Sequence, residues 1–150
     1  MKDVKKIFRN VENQLRQARK FGEDWRIFNR GPYIQLYKSN WFNENNSGIH
    51  FETFIETPQL KNKAFPVLMH AEEDCMHRAE FVHQFLELEK ERIKAWGGYS
   101  FDDQSYTILK KTLTLNFKNL ENRIFGEFSQ LRLLAESIDE TLLSLSLIHI

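Results

Sequence analysis

Between Ile49 and Glu72 the chain alternates strictly enough to read as a β-hairpin with two differently dressed faces. Ile49, Phe51, Thr53 and Ile55 alternate with His50, Glu52, Phe54 and Glu56. Past a polar connection, Phe65, Val67, Met69 and Ala71 alternate with Pro66, Leu68, His70 and Glu72. A period of two sends successive side chains to opposite faces of a sheet, so one set is expected to be buried and the other open. If His50 pairs with Glu72, Glu52 falls opposite His70. A one-pair slip on the same face sets His50 against His70 instead.

The remaining elements can be arranged around this hairpin. Val4, Ile7, Phe8, Val11, Leu15 and Ala18 recur at three- and four-residue steps, which predicts an amphipathic helix from about Lys2 to Lys20, with Gly22 as its stop. Gly31-Pro32 is a turn signal, and Tyr33 to Lys38 alternates as a first strand. Pairing this strand with the next puts Tyr37 beside His50 and Gln35 beside Glu52. The run NWFNENNSG from Asn40 to Gly48 is a loop, inside which Trp41 and Phe42 are expected to fold back over the sheet edge. A helix from about Asp74 to Trp96 is expected next, with Asp74 as N-cap and Ala79, Val82, Phe85, Leu86, Ile93 and Trp96 on its buried face. Glu89 falls on that face and needs a cationic partner, Arg78 or Arg92. Gly97-Gly98 ends the helix. Tyr106 to Leu115 reads as a fourth strand, and Lys110-Lys111 suits an edge. From Leu120 through Ile124, Phe128, Leu131, Ala135, Ile138 and Leu142 to Leu145 one apolar stripe continues at helical spacing. The terminal run SLSLIHI no longer reads as an amphipathic helix, and residues 145–150 are expected to form a disordered tail or to dock on a partner.

These elements predict a single α+β domain over residues 1–150: a mainly antiparallel four-stranded sheet packed by helices, in the order α-β-β-β-α-β-α. A chain of 150 residues that is 41% apolar and holds thirteen Phe can bury a real core. Acids and bases balance at 21 each, so the basic footprint of nucleic-acid binding is absent from the chain as a whole. The lone Cys75 excludes an internal disulfide and fits a reducing compartment. No stretch approaches the roughly 18 apolar residues of a membrane span, and MKDVKKIFRN has no apolar signal core. A cytoplasmic protein is expected.

Chemistry concentrates on the polar face of the hairpin. With the first strand alongside, that face carries Tyr33, Gln35, Tyr37, His50, Glu52, His70 and Glu72. A His beside a carboxylate is a usable general base, and His50, His70 and Glu72 together offer donors to a divalent metal. Glu52, Glu72, His50 and His70 are accordingly the candidate catalytic residues, and Tyr33, Gln35 and Tyr37 candidate ligand contacts. The stretch HAEEDCMHRAEFVH from His70 to His83 holds further potential ligands, among them Glu73, His77 and Glu80, but no HExxH, paired CxxC or DxDxDG spacing. GxSxG, P-loop and GxGxxG motifs are also absent from the sequence.

Helix, three strands, helix, strand is an order that resembles the core of PD-(D/E)XK nucleases. The resemblance implies a carboxylate on the second strand and an acid-x-Lys on the third, holding Mg²⁺ and activating water. Glu52 and Glu72 match the two acids; Asp74 stands where the Lys belongs, so the resemblance also fits an inactive relative. Two functions thus fit the sequence. One is a small intracellular interaction or regulatory protein without catalysis or cofactor, binding a protein partner or itself through the last helix. The other is a metal-dependent hydrolase, or nuclease-like protein, using the open face.

Overall fold

A computed structural model describes residues 2–41 and 48–149. The first helix, α1 (Lys2–Gln17), buries Val4, Phe8, Val11 and Leu15, as its spacing requires. Strands β1 (Trp25–Asn29) and β2 (Tyr33–Lys38) form a hairpin. Its turn passes through Gly31 at φ +96°, and the Asn29 side chain accepts the Gly31 N–H at 2.9 Å. Strand β3 (Ile49–Phe54) leads into a short helix, α2 (Thr57–Asn62), which ends where Lys63 turns left-handed. Strand β4 (Ala64–Ala71) and helix α3 (Arg78–Trp96) follow, then β5 (Tyr99–Phe101) and β6 (Thr107–Thr114). Helix α4 (Leu120–Leu131), a 3₁₀ turn (Arg132–Leu134) and helix α5 (Ala135–Ile148) complete the chain.

All described strands lie in one sheet, order β1-β2-β3-β4-β6-β5, and every pairing is antiparallel. The fold is therefore α+β, but with six strands where the sequence predicts four, and with α2 where it predicts a loop. The two extra strands are the sheet's edges. Residues 25–29 mix apolar and polar side chains on both faces, and β5 is too short to show a period of two. Tyr99–Phe101 covers the flank of β6, so the Lys110-Lys111 strand is internal. Its lysines take opposite faces, and Lys111 reaches Glu127 on α4 at 2.5 Å.

One face of the sheet carries Ile34, Leu36, Ile49, Phe51, Val67, Met69 and Leu109 into a continuous core with Phe8, Phe81, Phe85 and Phe128 of the helices. Helix α1 packs on α4 and α3 on α5. The apolar stripe after Leu120 is not one helix, since the 3₁₀ turn interrupts it, and helical backbone continues beyond the expected stop to Ile148 with Leu145 buried. Helix α3 starts at Arg78 behind a left-handed His77, not at Asp74, and Ala79 is exposed where Phe81 is buried. Trp41 does fold over the sheet edge: it packs edge-on against Trp25 and Phe51 and donates to Asp139 at 2.7 Å. Phe42 and the loop tip lie outside the described residues. No helix among the described residues is long and apolar enough to cross a membrane.

Candidate metal centre

The register of three neighbouring strands decides which side chains meet. Strands β2 and β3 pair as the sequence predicts, with Gln35 opposite Glu52. Between β3 and β4 the slipped alternative is realised: His50 lies opposite His70 and Glu52 opposite Leu68. Thr53, fully buried, donates its hydroxyl to the Pro66 carbonyl at 2.8 Å, a bond that suits the tighter closure of the connection. Glu72 sits one residue past the end of β4, where its N–H donates to the Gly48 carbonyl at 3.0 Å.

That register gathers the four candidate catalytic residues around one atom, Nε2 of His50. It stands 3.2 Å from His70 Nδ1, 3.6 Å from Glu52 Oε1 and 3.9 Å from Glu72 Oε1. His70 Nδ1 is also 3.3 Å from Glu72 Oε1. One donor atom each from His50, Glu52 and His70 lies within 4.8 Å of the other two. The face expected to be open is instead largely closed: His50 is 3% exposed, Glu52 9% and Leu68 3%. His70 and Glu72 are half-buried.

Glu52 and His70 each have a supporting partner. Gln35 donates to Glu52 Oε1 at 2.7 Å. His70 Nε2 lies 2.8 Å from Thr107 Oγ1. A bulge between Met69 and His70 shifts the ladder so that His70 faces Thr107, and bulges beside functional sites commonly re-aim a side chain in this way. With Nε2 against the Thr107 hydroxyl, His70 turns its Nδ1 towards His50.

The electrostatics suit metal ligation. Burial disfavours the charged form of His70, and its His50 neighbour adds to this; together they outweigh Glu52 and Glu72 and bring its pKa below 6.5. Burial alone would raise the Glu52 carboxyl, but His50 and Gln35 at its oxygens, with His70 nearby, bring it below its ordinary value. The pair is thus a neutral imidazole and an ionised carboxylate, the protonation states a metal needs.

Of the two tyrosines, Tyr33 stands apart from this cluster. Tyr33 is opposite Phe54, at the far end of the face. Tyr37 is buried, and that burial raises its pKa, with Arg26 partly opposing. Sequence reasoning missed Thr107, whose approach depends on the bulge, and it missed a cavity of about 510 Å³ lined by His70, Thr107, Leu68, Phe54, Phe101 and Lys110, among others.

Of the other sequence candidates, His77 and Glu80 come together with His149, one donor atom from each lying within 4.8 Å of the other two. Glu73 points to the Tyr106 hydroxyl at 3.4 Å, while His77 stacks on His149 and Glu80 pairs with that same ring. His83 pairs with Glu87 on the exposed side of α3. Cys75 is buried, and burial pushes its thiol from 9.0 to about 11. The folded state therefore holds this proton more tightly than the unfolded chain, and raising the pH from about 9 towards 11 costs stability. At pH 8 the thiolate fraction is about a hundredfold smaller than in the unfolded chain. Alkylation by iodoacetamide, followed by mass spectrometry, is expected to be slower by at least that factor in the native protein than in urea.

No protein-family model, curated protein or solved structure matches the chain. The layout that resembled PD-(D/E)XK nucleases is also not the one adopted, since β1 and α2 interrupt it and the sheet is antiparallel throughout its described strands.

Proposed function

We propose that the protein is a metal-dependent hydrolase, with His50, His70 and Glu52 holding one divalent transition metal and Glu72 accepting a proton. The observation that carries this reading is the spacing of the donor atoms. Two ligands each about 2.1 Å from a tetrahedral ion lie about 3.4 Å apart. The distances of 3.2 Å between the imidazoles and 3.6 Å from His50 to Glu52 bracket that value. Two His and one carboxylate leave a coordination position free, which separates a catalytic site from a closed structural one.

A metal bound there would supply Lewis acidity and bring the ionisation of water towards neutral pH. The chain's own groups supply the rest. Gln35 and Thr107 hold Glu52 and His70 in position. Glu72, less buried than Glu52 and close to both rings, is placed to take a proton from an incoming water and return it to a leaving group. The neighbouring cavity holds the substrate. EDTA-stripped protein assayed on 4-nitrophenyl esters and bis(4-nitrophenyl) phosphate, with and without Zn²⁺ or Mn²⁺, tests this. Metal-restored turnover is expected, with Glu72→Gln retaining metal but losing at least about a hundredfold in kcat. Metal binding without turnover on any such substrate would reduce the proposal to a binding site.

Thr107 supplies a second check. Thr107→Val removes the oxygen beside His70 Nε2 and is expected to weaken zinc binding by about 10–100-fold, with Thr107→Ser close to wild type. Competition against a chromogenic chelator measures it.

A second reading, self-association through the C-terminal helices, draws on the exposure of Leu133, Leu143 and Leu147. Sedimentation velocity across a concentration series distinguishes a dimer, which Leu143→Glu would dissociate, from a monomer.

A further inference from the structure

We propose that the cavity beside the histidines selects a ligand with an apolar body and a second, remote anionic group, which Lys110 binds; this rests on the metal site above. The argument begins with one lateral row of the sheet. Glu52 lies opposite Leu68, Leu68 opposite Lys110 and Lys110 opposite Ser100, so all four project from the same face on consecutive strands. Neighbouring strands are about 4.8 Å apart, which puts the Lys110 backbone roughly 10 Å across the sheet from that of Glu52. A side chain as long as lysine can close part of that gap, leaving room for a ligand between ammonium and metal.

Leu68 is the floor between them. It is buried yet stands apart from the core on the helical side, and it lines the cavity with Phe54, Pro66 and Phe101. Those four side chains suit an aromatic or aliphatic body, and about 510 Å³ is ample for one. Lys110 is the only Lys or Arg among the lining residues, and it makes no ion pair among the described residues. Its neighbour Lys111, on the opposite face, is neutralised by Glu127. The one lining carboxylate, Asp102, already accepts the Gln104 N–H at 2.9 Å. The cavity thus offers one of the proposed metal ligands, His70, at one end, an apolar middle and a cation free to receive an anion.

The test uses zinc-loaded protein and two probes, 1,4-phenylenediacetate and phenylacetate, titrated calorimetrically. Both can place one carboxylate at the metal and the ring over Leu68, but only the first has a second carboxylate for Lys110. A second contact made within one ligand acts at high effective concentration, so the dianion is expected to bind about tenfold or more tighter. Lys110→Met should cut that ratio to the statistical factor of about two while leaving phenylacetate and zinc affinities unchanged. A wild-type ratio near two, or a large ratio that survives Lys110→Met, overturns the inference and leaves the metal site standing. Zinc uptake is measured separately on the same samples. Wild-type protein that takes up no zinc overturns the metal site and this inference with it.

Discussion

Replacing His50 with Ala lowers zinc affinity by at least about a hundredfold, the largest effect expected of any single change at the site. Every short distance in the cluster except that between His70 and Glu72 runs through His50 Nε2. Without it the remaining donors are one imidazole and two carboxylates, Glu52 on β3 and Glu72 just past β4, with no central nitrogen to organise them. His50 is also almost fully buried, so the Ala variant leaves a void and some instability follows. His50→Gln, closer in volume, separates the two effects. It should recover most of the metal-free stability while remaining weak for zinc. Measuring Tm in EDTA and zinc affinity on both variants reads the contributions independently.

Arg92→Ala is expected to destabilise the fold by about 3 kcal/mol, the low end of what breaking a buried ion pair costs. Glu89 sits on the buried side of α3 with its side chain 5% exposed. Arg92 grips both of its oxygens, one of them at 2.8 Å, and extends a further bond to the Leu133 carbonyl at 2.6 Å. Ser137 of α5 donates to Glu89 Oε2 at 2.7 Å, so the carboxylate ties α3 to α5. Removing Arg92 leaves this buried acid with the Ser137 hydroxyl as its remaining described donor. Arg92 itself is partly solvated, which is why the lower figure applies and why Glu89→Met should cost less. For a domain of this size about 3 kcal/mol lowers Tm by roughly 6–12 °C. The double variant Arg92→Ala/Glu89→Met should regain at least half of that loss, because it no longer strands a charge. If Arg92→Ala alone melts within 2 °C of wild type, roughly what a surface ion pair would give, the pair does not hold the helices together.

The sequence was most legible where a period repeats long enough to be counted. Strands β2, β3 and β4 and helix α1 lie within a few residues of their expected bounds, because alternation and the 3.6-residue spacing each persist over several turns or pleats. The pairing of Gln35 with Glu52 followed from matching polar faces. The closer register of His50 on His70 could be written only as an alternative, since both alignments bury the same apolar set and periodicity cannot separate them. The edge strands were illegible because three to five residues carry too little pattern. The 3₁₀ break after Leu131 was hidden by a stripe that continues through it.

The site was half legible for related reasons. Alternation placed His50, Glu52, His70 and Glu72 on one face, and they are indeed together. That this face is closed, not open, could not be read, because the burial of a sheet face depends on tertiary neighbours that alternation does not encode. Thr107 is invisible for the same cause: thirty-seven residues separate it from His70, and only a bulge aligns them. Tyr33 shares the face but not the cluster, a reminder that alternation fixes the side of a sheet and not the distance along it.

Calorimetric titration of Zn²⁺ into EDTA-stripped protein at neutral pH tests the central claim most directly. One equivalent is expected to bind with a Kd below about 1 μM, and both His50→Ala and His70→Ala should remove that uptake. Absence of saturable binding, or uptake that survives in both variants, would show that the two histidines and their carboxylates are only a buried polar network of the sheet.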